Sequence, residues 1–190
     1  MQAELDLETV FFEARTASTS TVAGTTLYYT ANAAFPKSGI DQVLTLNYYD
    51  SYTSSPSLST AYGLATDKTK GLATESHVRV LETNDWITTQ TYYDKKARPI
   101  EIRTQNAYLA TTDVLASDLN FAGQVEETTS THQEGSNTPI IVLEKFTYDH
   151  GGRLKKQTHT INGGDEEMLA QNHYNALGQL IQKNVGNDAA

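Results

Sequence analysis

The sequence predicts an all-β fold: consecutive antiparallel β-hairpins forming a twisted, curved sheet. Three observations predict it. Thr, Val, Ile and Tyr dominate the ordered segments, as suits a pleated, half-buried surface. Signals for helices are almost absent. A seven-residue segment recurs at Tyr93–Pro99, Leu119–Val125, Tyr148–Leu154 and Tyr174–Leu180, at steps of 26, 29 and 26 residues. Each step has about the length of two strands and two turns.

Taken in order, strands are predicted over Thr25–Ala31, Gln42–Tyr49, Glu75–Glu82 and Trp86–Tyr93. Further strands are predicted over Ile100–Gln105, Gln124–His132, Ile140–Tyr148, Leu154–Ile161, Met168–Tyr174 and Leu180–Asn184. The stretch Glu166–Asn172 admits a helical reading that ranks below strand. Two stretches, Ser51–Thr60 and Gly63–Gly71, read as a long excursion between strands. A degenerate copy of the repeat begins before it, at Tyr49-Asp50. Two regions follow from this: residues 1–85, β-rich with the degenerate repeat and the long loop, and residues 86–190, the repeat array.

The recurring segment makes physical sense as a tight turn. An Asp or Asn followed three residues later by Gly marks a type I turn that ends on a left-handed residue. In a hairpin this gives a three-residue loop with a bulge. The Asx side chain bonds the backbone two residues on. Gly123, Gly152 and Gly178 are therefore predicted at positive φ, and Ala97, in the same place, is predicted to be strained or to force another loop shape. The register pairs Tyr93 with Pro99, Leu119 with Val125, Tyr148 with Leu154 and Tyr174 with Leu180, all apolar. It also pairs Asp94 with Arg98, Asn120 with Gln124, Asp149 with Arg153 and Asn175 with Gln179. Acid meets base twice and amide meets amide twice.

The Tyr-Asp-x-x-Gly-Arg-Leu pattern at 148–154 resembles the YD repeat of bacterial RHS proteins and animal teneurins. The copy at 174–180 matches with Asn and Gln substituted. The copy at 93–99 lacks Gly, and that at 119–125 lacks Tyr and Arg. The intervening Thr158–Gly164 is also similar to bacterial RHS sequence, and the resemblance extends over 86–185. It implies a ribbon of hairpins spiralling into a shell around a toxic C-terminal domain or other cargo, in proteins that are exported or on the bacterial cell surface. The expected partners are then the rest of a longer polypeptide and its enclosed cargo. The chain is expected to be a fragment or truncated product that forms wall, and to self-associate through open sheet edges.

Composition narrows the function classes. The net charge is −9, with 14 basic and 23 acidic residues, and the lysines are scattered. That argues against nucleic acid, whose binders need a basic footprint. Without cysteine there are no disulfides or thiolate metal sites. No apolar run approaches the ~20 residues of a membrane-spanning helix, so no membrane insertion is expected. The acidic start lacks the form of a signal peptide, so any export signal is expected to lie outside this chain.

No enzymatic activity, cofactor or metal is expected. His77, His132, His150, His159 and His173 form no zinc motif, and no phosphate-cradling or nucleophile-elbow motif occurs. Glu126-Glu127 and Asp165-Glu166-Glu167 are the candidate paired carboxylates for glycoside hydrolysis. Neighbouring strand residues point to opposite faces, which separates the first pair, and the second cluster reads as a solvated loop. The rival function is carbohydrate binding or cell-surface adhesion. Its candidate stacking residues are Trp86, Tyr92 and Tyr108, set against the simpler reading that repeat aromatics fill the core.

Overall fold

The computed structural model describes residues 9–10, 12–31, 33–34, 36–52 and 57–186. Every regular element among them is a strand. The chain divides into two compact units, Met1–Leu46 and Asn47–Ala190.

The first unit carries one hairpin, β1 (Arg15–Val22) with β2 (Thr25–Tyr29). Ala23 and Gly24 both take positive φ, 47° and 75°. That is the two-residue loop whose twist matches paired strands. Glu13 fastens the exit of the hairpin, accepting from the Thr30 hydroxyl and the backbone N–H groups of Ala33 and Ala34. These bonds outweigh burial and lower its carboxyl below the usual range.

The second unit is built on a ten-stranded antiparallel meander. Its strands are β3 (Thr45–Asp50), which begins just before the unit boundary, β6 (Thr69–Arg79), β7 (Trp86–Tyr93), β8 (Pro99–Asn106) and β9 (Thr111–Leu119), then β10 (Val125–Glu134), β11 (Ile140–Tyr148), β12 (Leu154–Ile161), β13 (Glu167–Tyr174) and β14 (Leu180–Val185). They lie in the order β3, β6, β7 through β14, each hydrogen-bonded to the next, and the sheet does not close on itself. A small hairpin, β4 (Ser59–Thr60) with β5 (Gly63–Leu64), sits between β3 and β6 in the chain.

Strands β7, β11 and β12 have the predicted bounds, and β2, β3, β8, β10, β13 and β14 agree within a few residues. Glu166–Asn172 lies on the approach to and within β13, as strand. Three differences have physical causes. Strand β9 escaped the sequence reading because Asp113, Ser117 and Asp118 dilute its pattern. Its leading turn, Ala107–Ala110, also has no Gly or Pro, and Ala110 takes the left-handed place at φ 54°. Strand β1 was likewise missed, its run of Ser and Thr reading as loop. Finally, β6 begins at Thr69, inside the expected excursion. Its start is bonded by Asp50, whose carbonyl accepts from the Thr69 hydroxyl and whose side chain accepts from the Gly71 N–H. The degenerate Tyr49-Asp50 copy is thus where the chain leaves the sheet, with Asp50 at φ 69°. Since β3 and β6 pair into the same sheet as β7, the division expected at residue 85/86 falls inside it.

Each repeat carries a second bulge that the sequence did not announce. Tyr92 and Tyr93 face Glu101 and Pro99, leaving Ile100 extra. Glu126, Lys155 and Ile181 are extra in the same place in the later repeats. The second bulge re-aims the strand after the turn. Buried residues then fall into cross-strand rows on one face, such as Tyr92, Glu101 and Ala116. The opposite face holds the row Thr91, Ile102, Leu115, Ser130, Val142 and Ile161.

Gly123, Gly152 and Gly178 have φ of 90°, 77° and 82°, and Ala97 has φ 61°. Gly152→Val should therefore destabilise the protein by roughly 1–2 kcal/mol, the left-handed penalty. Ala97→Gly should stabilise it by about 0.5–1 kcal/mol, relief of that penalty exceeding the added backbone entropy. Urea midpoints of the two variants, moving in opposite directions, check this.

Candidate functional site

The four turns have one geometry. The Asx N–H donates to the carbonyl four residues on, at 2.9–3.0 Å, and its own carbonyl accepts from the N–H three residues on at 2.9–3.0 Å, in all four copies. Asp94, Asp149 and Asn175 each use Oδ1 to accept the N–H groups two and four residues ahead. In Asn120 the Oδ1 accepts from the Gln124 N–H. The predicted pairs are all made: Arg98 to Asp94 and Arg153 to Asp149, both at 2.6 Å, and Asn120 to Gln124 and Asn175 to Gln179, at 2.9 and 2.8 Å.

The turns also hold one another, through contacts between residues too far apart in the chain for a local pattern to signal. Arg98 Nη1 donates to the Asn120 carbonyl, and Gln124 Nε2 donates to the Gly152 carbonyl. Arg153 continues the series, with its guanidinium over the Tyr174 ring and Nη1 only 2.7 Å from where a Cβ on Gly178 would stand. Lys96 likewise reaches the Phe121 ring and carbonyl in the next turn. The tyrosine that opens three of the four turns has its own partner in the preceding strand. Tyr93, Tyr148 and Tyr174 donate their hydroxyls to the carbonyls of Ala73, Val125 and Leu154 at 2.7–2.8 Å. Val125 and Leu154 are the first residues after their turns, where the second bulge interrupts the ladder and a carbonyl needs another donor. Burial and then Glu126 raise the Tyr148 phenol, which keeps it a donor.

The excursion after β3 is a cover rather than a free loop. Tyr52 stacks on Tyr92 with ring centroids 5.2 Å apart. Arg103 lies over the same Tyr92 ring, 4.5 Å from its centroid. Arg103 also bonds Glu101 and the Ser59 carbonyl, and the second oxygen of Glu101 accepts the Ala61 N–H. Tyr62 donates to Glu127 and meets the Thr129 hydroxyl. Burial first, with Glu127 and Asp118, pushes the Tyr62 phenol up to about 12. Farther along, Gln90 joins Tyr92 to Glu75, and Glu75 bonds His77. Both oxygens of Glu101 are thus engaged, and its side chain is 3% exposed. The cluster clamps the cover to the sheet through satisfied polar groups.

The candidate carboxylates are dispersed. Glu126 is the exposed bulge residue, while Glu127 faces Tyr62. Glu166 lies near Lys145 and Lys156, and Glu167, which opens β13 rather than lying in a loop, bonds His159. Of the stacking candidates, Tyr92 is wholly buried, with Tyr52 and Arg103 against its ring, so no ligand can reach it. Tyr108 is exposed on the β8–β9 turn. Trp86 lines an open cavity of about 380 Å³ together with Asn84, Asp85, Gln105 and Asn106.

Two outcomes are expected. Glu101→Ala removes the acceptor of Arg103 Nε and of the Ala61 N–H and should cost about 1.5–3 kcal/mol, the range for a lost charged hydrogen bond. Faster amide exchange at Ala61 marks the cover coming loose. The bonds from Arg153, side chain first and backbone second, hold the Asp149 carboxyl at about 2 against an ordinary 3.8. A depressed acid stabilises the fold above its unfolded pKa and loses that effect as pH falls through the folded one. Stability should therefore drop between pH 3.8 and about 2. Carbon-detected NMR titration should place the Asp149 midpoint near the lower value, and Arg153→Met should move it upward.

Comparison with protein-family models and with curated proteins returns no significant match to either.

Proposed function

We propose that this chain is a non-enzymatic wall segment of an RHS-type repeat protein, exported or held at the bacterial cell surface, whose β-shell encloses cargo such as a C-terminal toxin. The observation that carries the reading is the interlocked turn. Copies with the Tyr-Asp-x-x-Gly-Arg-Leu pattern, and copies that depart from it, share one geometry and each bonds or packs against the next. A device of this kind extends a sheet indefinitely and needs no ligand. The open meander suits a wall, since each strand of the sheet is laddered only to the strands on either side of it. Ile102, Leu115 and Ile161, exposed in one cross-strand row with Ile140 nearby, suit a face that turns toward something other than water.

Protease protection in the native host tests this. An antibody to residues 86–185 should detect an exported or surface polypeptide with a segment that proteases cut only once the sheet is denatured. A cytoplasmic species with no covered segment would overturn the reading.

The Trp86 cavity supports a second reading, carbohydrate binding. The indole, with the Arg79 guanidinium 5.5 Å from its centroid, borders the cavity beside Asn84, Asp85, Gln105 and Asn106, which puts an aromatic ring next to hydrogen-bonding groups. On a glycan array, this reading expects selective binding that Trp86→Ala removes at unchanged stability. Equal signals from the two proteins would reject it.

A further inference from the structure

Strands β6 and β7 bring a carboxylate, an imidazole and a hydroxyl into line. Glu75 and His77 lie two residues apart on β6, hence on one face, and Thr88 on β7 is the direct cross-strand partner of His77. Glu75 Oε1 bonds His77 Nε2 at 2.5 Å, and His77 Nδ1 meets the Thr88 hydroxyl at 3.2 Å. The Glu75 side chain is only 7% exposed, and its other oxygen accepts from Gln90. Tyr48 and Trp86 stand edge-on to the imidazole, with ring centroids 5.6 and 6.2 Å away, and hold it in one orientation. An ionised carboxylate only accepts, so Nε2 carries the proton. In the neutral ring Nδ1 is then a lone pair facing the Thr88 O–H.

Thr88 also lines the open cavity of about 380 Å³ beside Trp86. Gln105, its cross-strand partner on β8, lines the same cavity, and the Gln105 side chain makes no hydrogen bond among the described residues. The bonded series from Glu75 therefore ends on a hydroxyl at a cavity wall, with an uncommitted amide beside it. A hydroxyl bonded to a base, and a base oriented by a third group, is the arrangement that activates a nucleophile. A neighbouring amide N–H is what an acyl carbonyl needs as its oxygen gains charge.

We propose that Thr88 is a covalent modification site that takes one acyl group from an activated ester or thioester. Thr88 Oγ1 attacks the acyl carbonyl carbon while its proton passes to His77 Nδ1. Glu75 stabilises the imidazolium, and Gln105 Nε2 donates to the oxyanion. The bond from the acyl carbon to the leaving oxygen or sulfur then breaks, and the departing group takes the proton from His77. The products are O-acyl-Thr88 and an alcohol or thiol. One acyl group per chain requires no turnover. The inference stands apart from the wall reading, so protease protection and acylation fail independently.

The probe is p-nitrophenyl acetate, mixed with the full chain. A burst of nitrophenolate is expected, and peptide mass spectrometry should place one acetyl group on Thr88. Neutral hydroxylamine should remove that group, as an ester requires, and leave acetyl groups on lysines in place. Thr88→Val, nearly the same shape, should lose the burst, and Thr88→Ser should keep it. His77→Gln should slow it about a hundredfold, the lower end of what a positioned base supplies. Urea midpoints establish that each variant is folded, and the mapping of Thr88 in the parental chain decides the matter where one is not. Acetylation confined to amines, a Thr88 ester no more abundant than esters at Thr89 and Thr91, or a folded His77→Gln protein that reacts at the parental rate would overturn the proposal.

Discussion

From β7 to β14, every second reversal of the chain depends on one side-chain oxygen. The Oδ1 of Asp94, Asn120, Asp149 or Asn175 gathers backbone N–H groups that a tight turn would otherwise leave unpaired. With that oxygen in place, the fourth residue must be left-handed and the closing pair is fixed. Register matters more in this sheet than in most, because a one-residue slip would carry every side chain to the other face. Tyr92, Glu101 and Ala116 would then leave the buried face, and the cover over them would lose its partners.

The turns do more than reverse the chain. Arg98, Gln124 and Arg153 each reach the backbone or ring of the following repeat, and the leading tyrosines reach back to the strand before. Stability therefore runs from neighbour to neighbour, as in other repeat architectures. Arginine and glutamine are interchangeable in this role because both have a donor to spare after closing their own turn. Tyrosine is not interchangeable with leucine. Leu119, in the tyrosine place, offers no hydroxyl to the strand before it.

The interior is polar for its size. Thr69, Thr74, Glu75, Glu101 and Thr158 are buried beside Tyr48, Tyr92 and a few alanines. Such groups cost free energy unless hydrogen-bonded, and here Thr69, Thr74, Glu75 and Glu101 are bonded into chains that cross strands and reach the cover. A network of this kind specifies one placement of the 57–66 segment, whereas an apolar patch would accept several.

The turns, their left-handed residues, their closing pairs and the all-β class were legible in the sequence alone. Each depends on residues within about four positions of one another, so Asp149, Gly152 and Arg153 carry the information together. Strand β9 was not legible, because its preceding turn puts Ala110 where a glycine signal was expected. Nor were the second bulges, the inter-turn bonds or the cover over Tyr92. These link residues far apart in the chain: Arg103 with Ser59, Glu101 with Ala61, Tyr62 with Glu127. No local pattern encodes such pairs. Tyr92 and Trp86 looked alike as aromatic candidates, yet one is closed between Tyr52 and Arg103 and the other borders an open cavity. The sequence by itself determined how this chain turns. Tertiary structure alone decided what each face meets, because burial depends on which distant segment folds across the sheet.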